Sequence, residues 1–235
     1  MKTPSAHIME GVDRFEKPPP EDTLFESGAD IAALNELHHG LEFFPTPPWS
    51  VRAMVASLEA GGVTAFGNFG IHRILEPACG RGHIMVPLRE LGLCVHGLDI
   101  HDHGIGEPFG DFLKTPFDVD SYDAVITNPP FKLAEAFVTK GLEIAEQVII
   151  LCRLSFLNSV GRYELHFAGP GGNLKTLMPC IERVPMVLGR YNPQASTATE
   201  FAWFHYERGY RGDTRVLPIP PGSRERHQRR EDVRI

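Results

Sequence analysis

Four consecutive residues, Asn128, Pro129, Pro130 and Phe131, carry the types and spacing best suited to gripping a planar amide or amine. The Asn128 carboxamide oxygen and the carbonyl before Pro130 can both accept hydrogen bonds from one exocyclic NH2. The two prolines fix φ and remove donors that would compete. Phe131 offers a ring face on which a base could stack. An amino nitrogen held by two acceptors gains lone-pair density, which primes it to attack an electrophilic methyl group. The same four residues also suit an ordinary turn after a strand, because Asn-Pro and Pro-Pro both punctuate chains.

A second set lies upstream in Glu76-Pro77-Ala78-Cys79-Gly80-Arg81-Gly82-His83. Closely spaced glycines directly after a strand let a ligand approach the backbone, and the helix that follows offers free amides. Asp99 follows at about the interval at which an acid meets ribose hydroxyls in dinucleotide-type folds, although it also suits a strand-end cap. Nicotinamide dinucleotides fit poorly, since Met85 stands where the third glycine of their fingerprint belongs. His101, Asp102 and His103 lack the i, i+4 spacing of helical metal ligands and read as a solvated loop. Ser155 and His166 have neither an acidic partner nor an elbow motif, so no nucleophile is indicated.

These residues need elements to hold them. The tetrapeptide follows an apolar strand, YDAVIT, and opens a helical run, FKLAEAFVTKGLEIA. Strands are predicted over 72–77, 93–100, 122–128, 147–154, 181–189 and 199–207, the first four separated by crossovers of suitable length. Near-continuous apolar strands joined in this way argue an α/β fold, with a parallel sheet covered on both faces. The last two strands have no helix between them and suit a hairpin-like edge. A short helix is predicted over 29–39, and a second over 51–62 with Ser50 as its cap. The segment 155–180, containing GPGGN, reads as a mobile lid or substrate loop.

The 235 residues suit one domain over 29–210, with a flexible leader over 1–28 and a Pro/Arg-rich C-terminal tail over 211–235. The tail reads equally as a solvated segment or as a phosphate-binding arm. No run approaches the roughly 18 to 20 apolar residues of a membrane span, and the start lacks the apolar centre of a signal peptide. No membrane association and a cytoplasmic location are therefore expected. Four widely spaced cysteines form no CxxC pair and indicate neither a disulfide framework nor zinc. A net charge of −7 does not favour nucleic acid, whose binders are usually basic, but leaves room for a local basic patch.

With both residue sets in this order, the chain resembles S-adenosylmethionine-dependent N6-adenine methyltransferases, of the gamma-like amino-methyltransferase type. The resemblance covers residues 43–206. It implies a Rossmann-like class I methyltransferase fold: a mostly parallel sheet with an antiparallel edge hairpin and helices on both faces. It also implies S-adenosylmethionine as cofactor and nucleic acid as partner, DNA favoured over RNA. Thr46 in FPTPP would hold the cofactor carboxylate, although it also suits a turn before a helix start. Glu76, Ala78, Gly80 and Gly82 match the cofactor loop, and Asp99 matches the ribose-binding acid. Asp111 and Phe112 match the pair beside the cofactor adenine, Asp111 being equally suited to a local helix cap. Asn128, Pro129, Pro130 and Phe131 match the catalytic loop, and Tyr191 is placed where a second aromatic would sandwich a base with Phe131. No appended target-recognition domain is seen, which resembles compact phage or prophage enzymes. An RNA adenine methyltransferase, a protein glutamine methyltransferase and a non-catalytic nucleic-acid-binding subunit are the alternatives.

Overall fold

The structure, a computed structural model, describes residues 43–67, 70–168, 173–195 and 197–235. The leader and the helix predicted over 29–39 lie outside these residues. Seven strands form one sheet: β1 (Arg73–Glu76), β2 (Cys94–Gly97), β3 (Tyr122–Thr127), β4 (Ala145–Arg153), β5 (Asn173–Pro179), β6 (Phe201–Glu207) and β7 (Arg215–Val216). Their order is β2-β1-β3-β4-β6-β5-β7. The pairs β1–β2, β1–β3 and β3–β4 are parallel, whereas β6 runs antiparallel to both β4 and β5. β7 closes the far edge parallel to β5. The expected α/β architecture, a mostly parallel sheet with an antiparallel pair toward one edge, is thus observed.

Apolar alternation along the strands feeds two cores. Ile74, Ala124, Ile126, Ile149, Leu151 and Trp203 face one layer, built on α1 (Pro48–Ala60) and α2 (Met85–Arg89). Leu75, Val125, Val148, Ile150, Cys152, Phe204 and Tyr206 face the other, covered by α3 (Ala134–Ile144). Period two makes neighbouring residues point to opposite faces, so a strand apolar at every position must be buried on both. α3 buries Ala134, Phe137, Val138, Gly141 and Leu142, the i, i+3, i+4 stripe of a one-sided helix. Gly141 permits close approach to β4, since a Cβ there would lie 2.7 Å from Val148 Cγ2.

α1 starts at Pro48, not at residue 51. Pro47 is its cap and proline occupies the first turn, while Ser50 lies inside the helix and donates to the Pro47 carbonyl at 2.9 Å. Pro at the first helical position costs nothing, because that amide has no helical partner anyway.

Two further readings are corrected. The strand predicted over 181–189 is irregular chain, and the partner of β6 is β5, inside the segment read as a lid. Pro185 has no amide to give a ladder, and Ile181 is exposed. The residues 211–235 are not a solvated arm. They form β7, α4 (Ser223–His227) and a final 3-10 turn, and Asp232 is buried. Arg52 of α1 explains this: its five donors go to Glu90 (3.0 and 2.9 Å), the His227 carbonyl (2.9 Å) and both oxygens of Asp232 (3.1 and 2.8 Å). Arg229 adds a 2.7 Å ion pair to Glu90. α1 is consequently buried along nearly its whole first three turns.

Candidate active site

Parallel pairing puts the carboxyl ends of β1, β2, β3 and β4 along one edge of the sheet, where open α/β folds hold ligands. Glu76 ends β1, Asp99 follows β2 and Asn128 follows β3, so residues far apart in sequence line one cleft. Thr46, Glu76, Ala78, Asp99, Asp111, Phe112, Asn128, Pro129, Pro130 and Phe131 all border it, together with Phe43, Phe44, His83 and Phe137.

The loop after β1 turns back through Gly80 at φ +51° and Gly82 at φ +87°, a backbone region that L side chains rarely adopt. A Cβ on Gly80 would also collide with the Phe43 ring. The Gly80 amide donates to Asp99 Oδ2 at 2.8 Å, which ties the glycine loop to the end of β2. Asp99 Oδ1 accepts from the His101 amide at 3.0 Å and lies 3.5 Å from His103 Nε2. Burial acts to raise the Asp99 carboxyl, but the bonds from His103, His101 and Gly80 outweigh it and hold its pKa below the usual range. Asp99 is therefore an ionised acceptor at the cleft.

Glu76 behaves in the opposite way. It is buried, and desolvation together with the neighbouring Asp99 charge pushes its carboxyl well above the ordinary value. Its Oε2 has no hydrogen-bond partner. His83 is also buried with both ring nitrogens unpartnered, and burial with the Arg81 charge pushes its pKa down to about 4. Unpaired buried polar atoms are costly, so several of them facing one cleft point to a polar ligand that satisfies them.

Asp111 is carried back to the cleft by a parallel bridge between Asp99 and Phe109. Its Oδ1 accepts from the Leu113 amide at 3.0 Å and its Oδ2 pairs with Lys114 at 3.0 Å, so it caps a local turn while it lines the cleft. The bond to Lys114 lowers its pKa. Phe112 is buried against Phe117 and Phe137, with Lys140 of α3 pinning the same loop through the Leu113 and Thr115 carbonyls.

Asn128 is held across the cleft. Its Nδ2 donates to the Phe44 carbonyl at 2.9 Å, and its Oδ1 is buried without a partner. A carbonyl can only accept, so the amide nitrogen must face Phe44 and the oxygen must face away. Phe131 lies 5.9 Å from Phe44 and 6.0 Å from Phe201, ring centre to ring centre. An acceptor oxygen beside apolar rings is what an amino group on a planar system requires.

Gly80 and Gly82 shape the loop without bordering the cleft, and Tyr191 does not border it either. Tyr191 packs edge-on to His83 at 6.1 Å with its hydroxyl buried and unpartnered, and no ring contact joins it to Phe131 among the described residues. His166 is a satisfied core residue, bonded to the Phe156 carbonyl at 3.1 Å and the Tyr206 hydroxyl at 2.9 Å. Sequence reading singles out neither His83 nor Phe43, and takes Phe44 only as part of the FPTPP element. His83 stood at the end of the glycine segment, and its position there was the available signal.

No protein-family model matches this sequence, and comparison with curated proteins gives no match. Solved structures do resemble it. A proposed class I S-adenosylmethionine-dependent methyltransferase from Listeria monocytogenes superposes with a TM-score of 0.53 at 17% identity, over 76% of this chain and 67% of that one. A proposed RNA methyltransferase from Pyrococcus horikoshii superposes with a TM-score of 0.56 at 16% identity, over 72% of this chain and 88% of that one. The fold is thus that of the Rossmann-like class I methyltransferases.

Proposed function

We propose that this chain transfers a methyl group from S-adenosylmethionine to the exocyclic N6 amino group of adenine, with DNA as the polymer. The observation that carries the reading is Asn128. Its amide is oriented by the Phe44 carbonyl so that Oδ1 remains a buried, unpartnered acceptor at the cleft. When bound, the cofactor would supply an electrophilic sulfonium methyl. Asp99, Glu76, Asp111 and Thr46 are the residues that fit it, because they bring an ionised acceptor, an unsatisfied buried carboxyl oxygen and further polar side chains to one cleft, with the Gly80 amide holding Asp99 in place.

Asn128 Oδ1 and the Pro129 carbonyl accept from the target NH2 and raise the electron density on its nitrogen. Phe131 and Phe44 contribute apolar ring faces that a purine can cover. Positioning and polarisation carry the reaction, as they do where an attacking amine can lose its proton after transfer. The choice of DNA over RNA rests on the likeness of the FFPTPP element and the final EFAWFHYERG strand to the gamma-like DNA enzymes, since an RNA adenine methyltransferase would share the glycine loop and NPPF. The experiment is radiolabelled methyl transfer to DNA, RNA and total protein, followed by nucleoside analysis. Label in N6-methyladenine from DNA is expected, whereas label only in RNA, only in protein or only in N4-methylcytosine would replace this substrate with another.

A further inference from the structure

β4 ends at Arg153, beside the loop that carries Asn128. Its guanidinium carbon sits 4.7 Å from the centre of the Phe131 ring. The β4–β6 register sets Arg153 opposite Phe201, whose ring in turn packs on Phe131. Arg153 is exposed, and among the described residues no hydrogen bond or ion pair engages its side chain. The neighbouring carboxylate of Glu200 goes to Arg183 at 3.6 Å instead. Arg153 also lines an open groove with Ser155, Asn158 and Thr199, side chains that hydrogen-bond without charge, and with Glu200, the carboxylate turned toward Arg183.

In a chain of net charge −7, an uncommitted cation stacked on the acceptor-side ring is not background. Stacking fixes the guanidinium plane and lowers the entropy lost when it binds. A neutral side-chain amide would have no use for that charge, while a phosphodiester beside a flipped base would meet its bidentate fork.

Resting on the methyl-transfer reading above, we propose that Arg153 is the phosphate anchor of the acceptor site. Its guanidinium binds the phosphodiester flanking the target adenine, and the groove of Ser155, Asn158 and Thr199 receives the adjoining nucleotide. This commits the site to a nucleic acid and not to a protein amide.

The test uses the full chain and a single-stranded oligonucleotide with one adenine in a thymine run, prepared with natural or methylphosphonate linkages on either side of that adenine. Binding is read by fluorescence anisotropy over a salt series. The wild type is expected to lose about tenfold in affinity on neutralisation, whereas Arg153→Gln binds the natural oligonucleotide about tenfold more weakly and is indifferent to neutralisation. Its log–log salt slope should fall by roughly 0.7, the contribution of one phosphate on a single strand. Arg153→Lys should restore the slope with part of the affinity. Unaltered melting and unaltered S-adenosylmethionine affinity in Arg153→Gln exclude misfolding. Equal losses on neutralisation in wild type and variant, an unchanged salt slope, or no oligonucleotide binding by the wild type would each overturn the anchor. Arg153-dependent binding without any methylated adenine would instead remove the reaction assigned above and leave the anchor standing.

Discussion

At the scale of single residues, the proposed reaction gives Asn128 two tasks that its two amide atoms divide. Nδ2 fixes the side chain on Phe44, and Oδ1 is left for the acceptor. Asn128→Ala removes a polarising contact that matters most in the transition state, so turnover should fall by roughly 10²–10³ or more. Cofactor affinity, measured by calorimetry, should change by less than about twofold. Loss of both together would assign Asn128 a structural role. Glu76 makes a second prediction, with a pH signature. Burial and Asp99 raise its folded-state carboxyl well above the unfolded value. Between those two values the folded state binds more protons than the unfolded one, so stability falls as pH rises through that window. Glu76→Gln abolishes the penalty. The ligand-free variant should therefore melt higher than wild type at pH 7–8, by roughly 2–4 °C, and no higher at pH 4. Its gain from added cofactor should shrink, because an NH2 donor replaces one of the two carboxyl oxygens. Melting curves at both pH values decide it. The placement of NPPF and the glycine loop directly after strands is legible in sequence because each motif is contiguous with its strand. That of Tyr191 is not, because its neighbours, His83 among them, are set by how 180–195 folds back over α1 and the C-terminal segment.

At the scale of elements, the same contrast explains the strand that was misplaced. Leu174 and Leu177 of β5 join the same core although they are three residues apart, because a register shift between Leu174 and Thr176 breaks the period of two by which a strand announces itself. The stretch 181–189 is richer in apolar residues and looks more like a strand, yet it contains Pro185 and forms no strand, its backbone bonds to other segments being Ile181 to Ile219 and Gly189 to Phe43. β1, β2, β3, β4 and β6 coincide with predicted strands because each holds buried apolar residues in a short run or alternation that turns or a helix interrupt. The clasp on α1 was illegible for another reason: Arg52 and Asp232 are 180 residues apart, and neither sequence neighbourhood hints at the other. Here an element-scale prediction follows. With Arg52 and Asp232 side chains only 5% and 2% exposed, Arg52→Leu would strand a buried carboxylate, which typically costs about 3–5 kcal/mol. Urea unfolding should register that loss, and the double variant Arg52→Leu/Asp232→Leu should recover much of it. If the single variant unfolds like wild type, the C-terminal segment is not clasped in solution.

Across the whole molecule, the parallel half of the sheet brings the ends of β1, β2 and β3 to a common edge, so that Glu76, Asp99 and Asn128, the residues proposed for cofactor and acceptor, face one cleft from separate strands. Separate strands allow the two halves of the site to fail independently. Asp99 bridges the Gly80 amide and the His101 amide, and so should govern the cofactor half; Asn128 hangs on Phe44, and so should govern the acceptor half. A ligand that binds only the folded state stabilises it by RT ln(1 + [L]/Kd), about 2.7 kcal/mol at one hundred times Kd, which for a chain of this size raises Tm by roughly 5–10 °C. S-adenosylmethionine and S-adenosylhomocysteine should both produce that shift in wild type and in Asn128→Ala. Asp99→Asn should lose most of it, because the variant amide keeps the shape and forfeits the charge that its hydrogen bonds maintain. Differential scanning calorimetry of the three proteins with each ligand separates the outcomes. A shift lost equally in both variants would mean that the cleft acts as one unit, and no shift in wild type would remove the cofactor from the reading altogether.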